Sequence, residues 1–370
     1  MSAQTPVPAM LMRGGSSKGL FFAQSDLPAD ENLRNRVLLA AVGSPDPRQI
    51  DGAGGAHPLS SKVGIVSVSE REGVDLEFLF AQLQPQNDIV DTKPNCGNML
   101  AAAVPFALEK GMVRARGEET TLRVLTLNTG MLSDITVQTP GGVVCYEGSA
   151  KIDGVPGTSA PVLIRFLDTE GSVAGSLLPT GSISDVFDIE GFGKLEATCI
   201  DNGMPMVLVR AADLDCTAYE GVADLNSNET LKATLEKLRL IAAEKMGLGD
   251  VSAKNYPKMC LLNAPLHGGA VHTRCFIPHV CHEAIGVLAA VTIATACVME
   301  NSVADGLAAV GNPASLSIEH PGGEFSVALE TDAGGRVTGA ALIRTARNIM
   351  RGEIMIPSRI WNGKPSDDTK

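Results

Sequence analysis

Aromatic residues are scarce in this chain: they make up 4% of 370 positions, with one Trp and three Tyr. Basic charge is also short, with 30 Lys and Arg against 42 Asp and Glu, giving a net charge of −12. That balance leaves no electrostatic footprint for nucleic acid or an anionic membrane surface. An anionic substrate would therefore require the protein to gather cations locally in a cleft. The eight cysteines, at 96, 145, 199, 216, 260, 275, 281 and 297, have neither the paired CxxC spacing of a zinc site nor the density of a small disulfide scaffold. They read as mostly reduced and buried. The longest apolar run, Ala284 to Met299, is interrupted by Thr292 and Thr295 and is shorter than the roughly 20 residues a membrane span requires. Met1 to Met10 lacks the basic start and long apolar core of a signal peptide. The expectation is a soluble cytoplasmic protein.

What the chain has in quantity is glycine and proline, 39 and 21 residues, which with few aromatics favours many turns joining short strands. Hydrophobic residues reach 44% and the mean hydropathy is +0.12. At this length one core usually stops growing, so two domains are expected, each with apolar residues enough to bury. Helices are expected over Glu31 to Val42, Cys96 to Glu109, Asn228 to Lys245 and Ala284 to Val298. Pro105 should kink or shorten the second. Strand signals run through Val7 to Phe22, Val63 to Ser69, Val74 to Gln82, Leu122 to Leu127, Ser133 to Gln138, Val143 to Gly148 and Val162 to Leu167. They resume at Leu195 to Ile200, Met206 to Arg210, Lys258 to Asn263, Val271 to Ile277, Ser315 to Glu319, Phe325 to Glu330 and Val337 to Ile343. Gly171 to Gly193 has linker character. Each half thus combines many strands with one short apolar helix whose start contains glycine, Cys96-Gly97-Asn98 and Ile285-Gly286-Val287. This suggests an internal duplication, in which each half wraps a curved sheet around its helix.

Two segments carry the chemistry: Ser60-Ser61-Lys62-Val63-Gly64 and Pro94-Asn95-Cys96-Gly97-Asn98. They offer an amine and a thiol, the second where a glycine-punctuated loop becomes a helix. Unpaired N–H groups and the helix dipole favour a thiolate there and can hold an anion. The turn Gly14 to Gly19 resembles a phosphate loop, but Ser17 precedes Lys18 and Gly19, the wrong order for Walker A. It reads instead as a carboxylate-binding turn using Ser16 and Ser17, with Arg13 or Lys18 adding charge; ordinary solvated turn chemistry is the alternative. Gly191-Phe192-Gly193 lacks the third glycine of a dinucleotide fingerprint. The spacing of His279, Cys281 and His282 has no strong precedent among zinc sites, so no metal is expected.

The chain resembles the PrpF family of isomerases within the diaminopimelate-epimerase-like fold. The resemblance rests on MRGGSSKG (Met12 to Gly19), GSPDPRQIDGAGG (Gly43 to Gly55), SSKVGIV (Ser60 to Val66) and NCGNML (Asn95 to Leu100). It continues through IDGVPG (Ile152 to Gly157), LLPTG (Leu177 to Gly181), CIDNGMPMV (Cys199 to Val207), PKMCLL (Pro257 to Leu262), RCFIPHVCHEAIGV (Arg274 to Val287) and RTAR (Arg344 to Arg347). It implies an α+β fold of two pseudo-symmetric domains, each a curved, mostly antiparallel sheet around a central helix, with the active site between them. The expected division is 1–188, with 350–370 packing back on it, and 189–349.

The resemblance also implies a cofactor-independent proton shift across an unsaturated tricarboxylic keto acid, with 4-oxalomesaconate of gallate or protocatechuate catabolism as the expected substrate. The alternatives are a 2-methylaconitate or methylitaconate isomerase and a non-catalytic carboxylate-binding accessory protein. Such chemistry needs a base, an acid and donors to the developing oxyanion. The family roles fall on Lys62 and Cys96. An ordinary lysine is protonated at neutral pH, so a base role for Lys62 requires desolvation or nearby cations; pairing with a substrate carboxylate is its other reading. Cys96 donates a proton or lines the pocket. The remaining residues expected to bind substrate are Arg13, Ser16, Ser17, Lys18, Ser61, Gly97, Asn98, Met204, Arg274, His279, Ile285 and Gly286. For Arg274 a bidentate carboxylate clamp competes with a strand-end ion pair. The second helix start carries no cysteine, which disfavours a two-thiol racemase. The expected partner is a small polycarboxylate, and a homodimer is compatible with it.

Overall fold

The computed structural model describes residues 4–167, 169–333 and 337–363. The chain forms two units, Met1–Arg165 with Ile343–Lys370, and Phe166–Leu342. This moves the division expected at 188/189 and 349/350. Residues 166–188 join the second unit because Asp185–Ile189 pairs with the strand that follows it and Gly171 donates to the Asp201 carbonyl.

In the first unit, β1 (Gln4–Gly14) and β2 (Ser17–Ala23) form an antiparallel hairpin. Helix α1 (Glu31–Val42) is bounded as its sequence dictates. Asp30 accepts from the Leu33 N–H at its start, and Gly43 adopts φ 84° at its end. The helix carries the chain across to β3 (Lys62–Val68), which lies parallel to β2, and β4 (Leu76–Leu83) returns antiparallel. After the short β5 (Val90–Asp91) come α2 (Gly97–Leu100) and α3 (Ala103–Glu109), then β6 (Glu119–Thr126), parallel to β4, and its antiparallel partner β7 (Met131–Gln138). β8 (Pro161–Phe166) lies beside β7.

The second unit repeats this order. After β9 (Asp185–Ile189), β10 (Gly193–Asp201) and β11 (Pro205–Arg210) form the hairpin. Helices α4 (Val222–Ser227) and α5 (Glu229–Lys245) lead to β12 (Lys258–Asn263), parallel to β11, and β13 (Val271–Phe276) returns antiparallel. Helix α6 (Val287–Cys297) then precedes β14 (Leu316–His320), parallel to β13, and antiparallel β15 (Gly323–Thr331). The expected duplication is therefore present: in both units a hairpin, a parallel crossover strand with its antiparallel return, an inner helix and a second parallel–antiparallel pair follow one another. β16 (Val337–Pro357) pairs with β15 over its first residues and with β1 over its last, from Gly14↔Ala346 to Gln4↔Pro357.

Each sheet has an outer and an inner face. Outward, Val63 and Ile65 of β3 pack with Val37, Leu38 and Ala41 of α1, and Met259 and Leu261 of β12 with Leu231, Leu235 and Leu238 of α5. Inward, α2 packs on β1 to β4, and α6 on β10, β11, β14 and β15. Phe21 lies 6.3 Å from Phe78 and 5.7 Å from Phe106, ring centre to centre, beneath α3. Helix α6 is buried from Ala289 to Cys297, and its alanines and threonines let the strands close around it.

Three expectations are corrected. The helix over Cys96 to Glu109 is two pieces, because Pro105 has no N–H for the Ala101 carbonyl and its ring crowds that turn. Val143 to Gly148 is not a strand. It follows the Pro140-Gly141-Gly142 turn, where both glycines have positive φ, and keeps only single backbone bonds such as Cys145 N–H to Gln138 O. The linker-like stretch 171–193 contains β9, whose residues alternate between buried and exposed.

Candidate active site

In the first unit the turn joining β1 to β2 docks on the start of α2. Gly14 and Gly15 permit this: a Cβ on Gly14 would collide with the Asn98 carbonyl oxygen, and one on Gly15, at φ +51°, with the Asn98 side chain. Asn98 Nδ2 donates to Ser16 Oγ at 3.1 Å. Ser17 is buried, faces the α2 side of β2, and its hydroxyl has no partner among the described residues. Cys96 is the residue before the first turn, half-buried, with φ −140° and ψ 95°, and its N–H is held by Asn95 Oδ1 at 2.7 Å. Helix α2 is a single turn, so its dipole is slight. What remains at this point is the Gly97 and Asn98 backbone N–H groups beside the thiol.

Lys62 opens β3 and is only 7% exposed. Alternation along β3 turns it inward, opposite Val63 and Ile65. Its Nζ donates to Gln82 Oε1 at 2.5 Å and lies 4.9 Å from the centre of the Phe80 ring. Gln82 is fixed in turn: its Nε2 donates to the carbonyls of Pro58, Ser61 and Leu83. The amine thus has a neutral acceptor and an aromatic face, and no carboxylate pairs with it among the described residues. Gly19, paired with Lys62, would clash through any Cβ with the Lys62 carbonyl and the Met99 side chain of α2. Strand β3 and helix α2 therefore both pack closely against Gly19.

A residue that sequence reasoning did not assign to the site joins them. Arg344, in β16, is buried and interacts electrostatically with Cys96; burial brings its pKa down to about 10, Cys96 acting in the opposite direction. Its signal was the RTAR stretch.

Other expected residues are committed elsewhere. Arg13 holds the β1–β2 turn to β16, donating to the carbonyls of Gly15, Thr345 and Ala346 and to the hydroxyls of Thr345 and Ser159. Lys18 lies on the α1 side of β2 with Leu20 and Phe22, near Gly55. Ser61 is fully buried and donates to Gln49 Oε1 and the His57 carbonyl.

In the second unit, the β10–β11 turn docks on α6 as its counterpart does on α2. Thr292 Oγ1 donates to the carbonyls of Asn202 and Met204, and Asn202 Nδ2 donates to Thr295 Oγ1. Met204 is half-buried there, Ile285 is buried, and Gly286 is the residue preceding α6. Arg274 is on the outer, α5 side of β13 with Phe276. Its Nη1 donates to His272 Nε2 at 2.6 Å and its Nε to the Glu220 carbonyl at 3.0 Å. Because arginine only donates, His272 carries its proton on Nδ1 and gives it to Glu319 Oε2 at 2.8 Å. Glu319 also accepts from the N–H groups of Leu266, His267 and Gly269. Burial alone would raise the Glu319 carboxyl, but His272 and these amides outweigh it and bring it to about 2. Burial and Arg274 keep His272 below its ordinary value despite Glu319. His279 is exposed, 3.5 Å from Glu236 of α5. Cys281 lies in the outer core and His282 folds back on Ala284, so the three are dispersed. No described group of three or more His, Cys, Asp or Glu residues is arranged for a metal.

The sequence profile described as PrpF protein matches residues 4–357. The chain belongs to the PrpF family. It is 50% identical over 362 residues to the 4-oxalomesaconate tautomerase of Pseudomonas putida, covering 97% of this chain and 99% of that protein. It is 52% identical over 351 residues to the (4E)-oxalomesaconate Delta-isomerase of Novosphingobium sp. strain KA1, covering 94% and 97%. The crystal structure of methylitaconate-delta-isomerase superposes over 100% of both chains with a TM-score of 0.84 at 33% identity. The expected α+β fold is thus the observed one, shared with methylitaconate-delta-isomerase, and the expected enzyme class, isomerase, is the one these relatives share. No described helix is long and apolar enough to cross a membrane.

Proposed function

We propose that this protein isomerises 4-oxalomesaconate by moving a proton between two carbons of the unsaturated acid. The observation that carries the reading is the identity of about half to two 4-oxalomesaconate isomerases, each matched nearly end to end. Lys62 takes a proton from the carbon next to the conjugated system onto its amine lone pair. The electron pair left behind spreads over the dienolate, whose oxygens are met by the Gly97 and Asn98 N–H groups and the Ser17 hydroxyl. Cys96, or a water beside it, returns a proton to the far end of the conjugated system. Arg344 supports the thiolate so formed.

The setting of Lys62 supports this role: Gln82 and Phe80 hold the amine in place, and no carboxylate pairs with it among the described residues. The reading includes no cofactor or metal, a cytoplasmic setting in gallate or protocatechuate breakdown, and a homodimer as the assembly.

The test is incubation of the purified protein with 4-oxalomesaconate in deuterated water, following ultraviolet absorbance and the position of deuterium by proton NMR. Absorbance change with deuterium at the newly protonated carbon supports the reading. Turnover of methylitaconate or 2-methylaconitate in its place would overturn the substrate assignment and keep the proton shift.

A further inference from the structure

Cys260 of β12 and Cys275 of β13 stand directly opposite one another, and both are free thiols. The hydrogen bonds on the far side of β13 fix what kind of pair they make. The Cys275 carbonyl accepts from the His282 N–H at 2.8 Å, and the Ile277 N–H donates to the Val280 carbonyl at 2.9 Å. Cys275 thus turns its backbone groups away from β12, and Cys260 and Cys275 form a non-hydrogen-bonded pair. Such a pair brings its Cα atoms to about 4.5 Å. That lies within the roughly 4.4–6.8 Å a disulfide spans. The two thiols are already hydrogen-bond partners.

Both side chains lie on the inner face of the sheet, opposite Met259, Leu261 and Phe276 of the outer core. Cys260 is fully buried, whereas Cys275 keeps 2% of its surface. Lys258, two residues before Cys260 on the same face, is half-buried and interacts electrostatically with Cys275. A cation therefore stands beside the sulfur that solvent reaches first. Burial, and then Cys275, hold the Cys260 thiol well above its ordinary pKa, so Cys260 is suited to react second. Cys281 sits opposite Phe276 in a single bridge and enters the outer core. It is on the other face of β13 from Cys275.

We propose that Cys260 and Cys275 are a reversible modification site, closing to a disulfide across β12 and β13 when a hydroperoxide reaches them. Cys275 takes one oxygen from hydrogen peroxide to become a sulfenic acid, and the first water leaves. The Cys260 sulfur then displaces the hydroxyl as a second water, so that an S–S bond forms as the S–O bond breaks. Two thiols and one peroxide give one disulfide and two waters. A thiol reductant reverses the change. The site lies wholly within the second unit and is independent of the substrate reading above.

The experiment treats the full-length protein with dilute hydrogen peroxide, removes the excess with catalase, alkylates remaining thiols with iodoacetamide in urea and maps peptides without reduction by mass spectrometry. Wild type should yield a cross-linked pair of peptides joining Cys260 to Cys275, lost again on treatment with dithiothreitol. Cys281→Ala should form it as wild type does, and Cys275→Ala should leave Cys260 alkylated. Circular dichroism establishes that both variants fold. A pair already at bonding distance closes without moving its strands, so oxidised wild type should unfold at a higher temperature than reduced, a shift absent from Cys275→Ala. Three results overturn the proposal: Cys260 and Cys275 both recovered without a cross-link once the half-buried Cys96 has been oxidised, a disulfide joining either to a different cysteine, or a thermal midpoint lowered by the cross-link.

Discussion

Gln82 Oε1 receives the Lys62 amine at 2.5 Å, and three main-chain carbonyls fix the amide that presents that oxygen. The acceptor is neutral and rigid, so it aims the amine without neutralising it. Lys62→Met should abolish deuterium exchange at the carbon Lys62 serves. Gln82→Met should leave exchange measurable while lowering kcat by about tenfold, through loss of aim. Proton NMR in deuterated water reads both.

Cys96→Ala should suppress deuterium entry at the other carbon and lower kcat by about 10²-fold or more. Because Arg344 is buried and interacts electrostatically with Cys96, Arg344→Met should lower kcat by about tenfold or more, measured by steady-state turnover. Unchanged kcat would remove Arg344 from the site.

The Glu319–His272–Arg274 chain should make stability pH-dependent. Glu319 is depressed to about 2 in the fold, below the ~4.3 of an unfolded glutamate. Its contribution is therefore full above that value and lost as pH falls toward 2. His272 is also depressed, so its contribution is present above roughly pH 6.5 and declines below it. Thermal midpoints should fall on acidification from about pH 6.5. Glu319→Gln should flatten the acid limb and cost about 1–3 kcal/mol at neutral pH.

Thr292→Val removes the hydroxyl that accepts from the Asn202 N–H and donates to Asn202 and Met204. Urea denaturation should show a loss of about 1–3 kcal/mol, since the buried turn keeps its polar groups without their partner.

Local signals were legible where the chain alone decides. Helix α1 runs from Glu31 to Val42 as read, and β12 begins and ends at Lys258 and Asn263. The SSK and NCGN motifs that contain Lys62 and Cys96 were likewise readable, though the strand was read from Val63 and the inward face of Lys62 was not. What escaped depends on partners distant in sequence. Arg274 sits in a strand as expected, but which face it takes is set by register against β12, so its binding to His272 was invisible. Arg13 resembles a free cation until β16 supplies the carbonyls that occupy it. Arg344 escaped because the strand was read only to Ile343, while pairing with β1 carries it to Pro357.

The closing strand has a consequence for biosynthesis. Thr345 and Ala346, which tie Arg13, and Arg344, which interacts with Cys96, are translated only after every residue of Phe166–Leu342. A ribosome releasing the chain vectorially would complete the later module before the earlier one, leaving β1 paired with β2 alone and the thiol without its guanidinium until β16 emerges. A product truncated before Ile343 would carry the Cys96 thiol without this guanidinium and Arg13 without the carbonyls of Thr345 and Ala346.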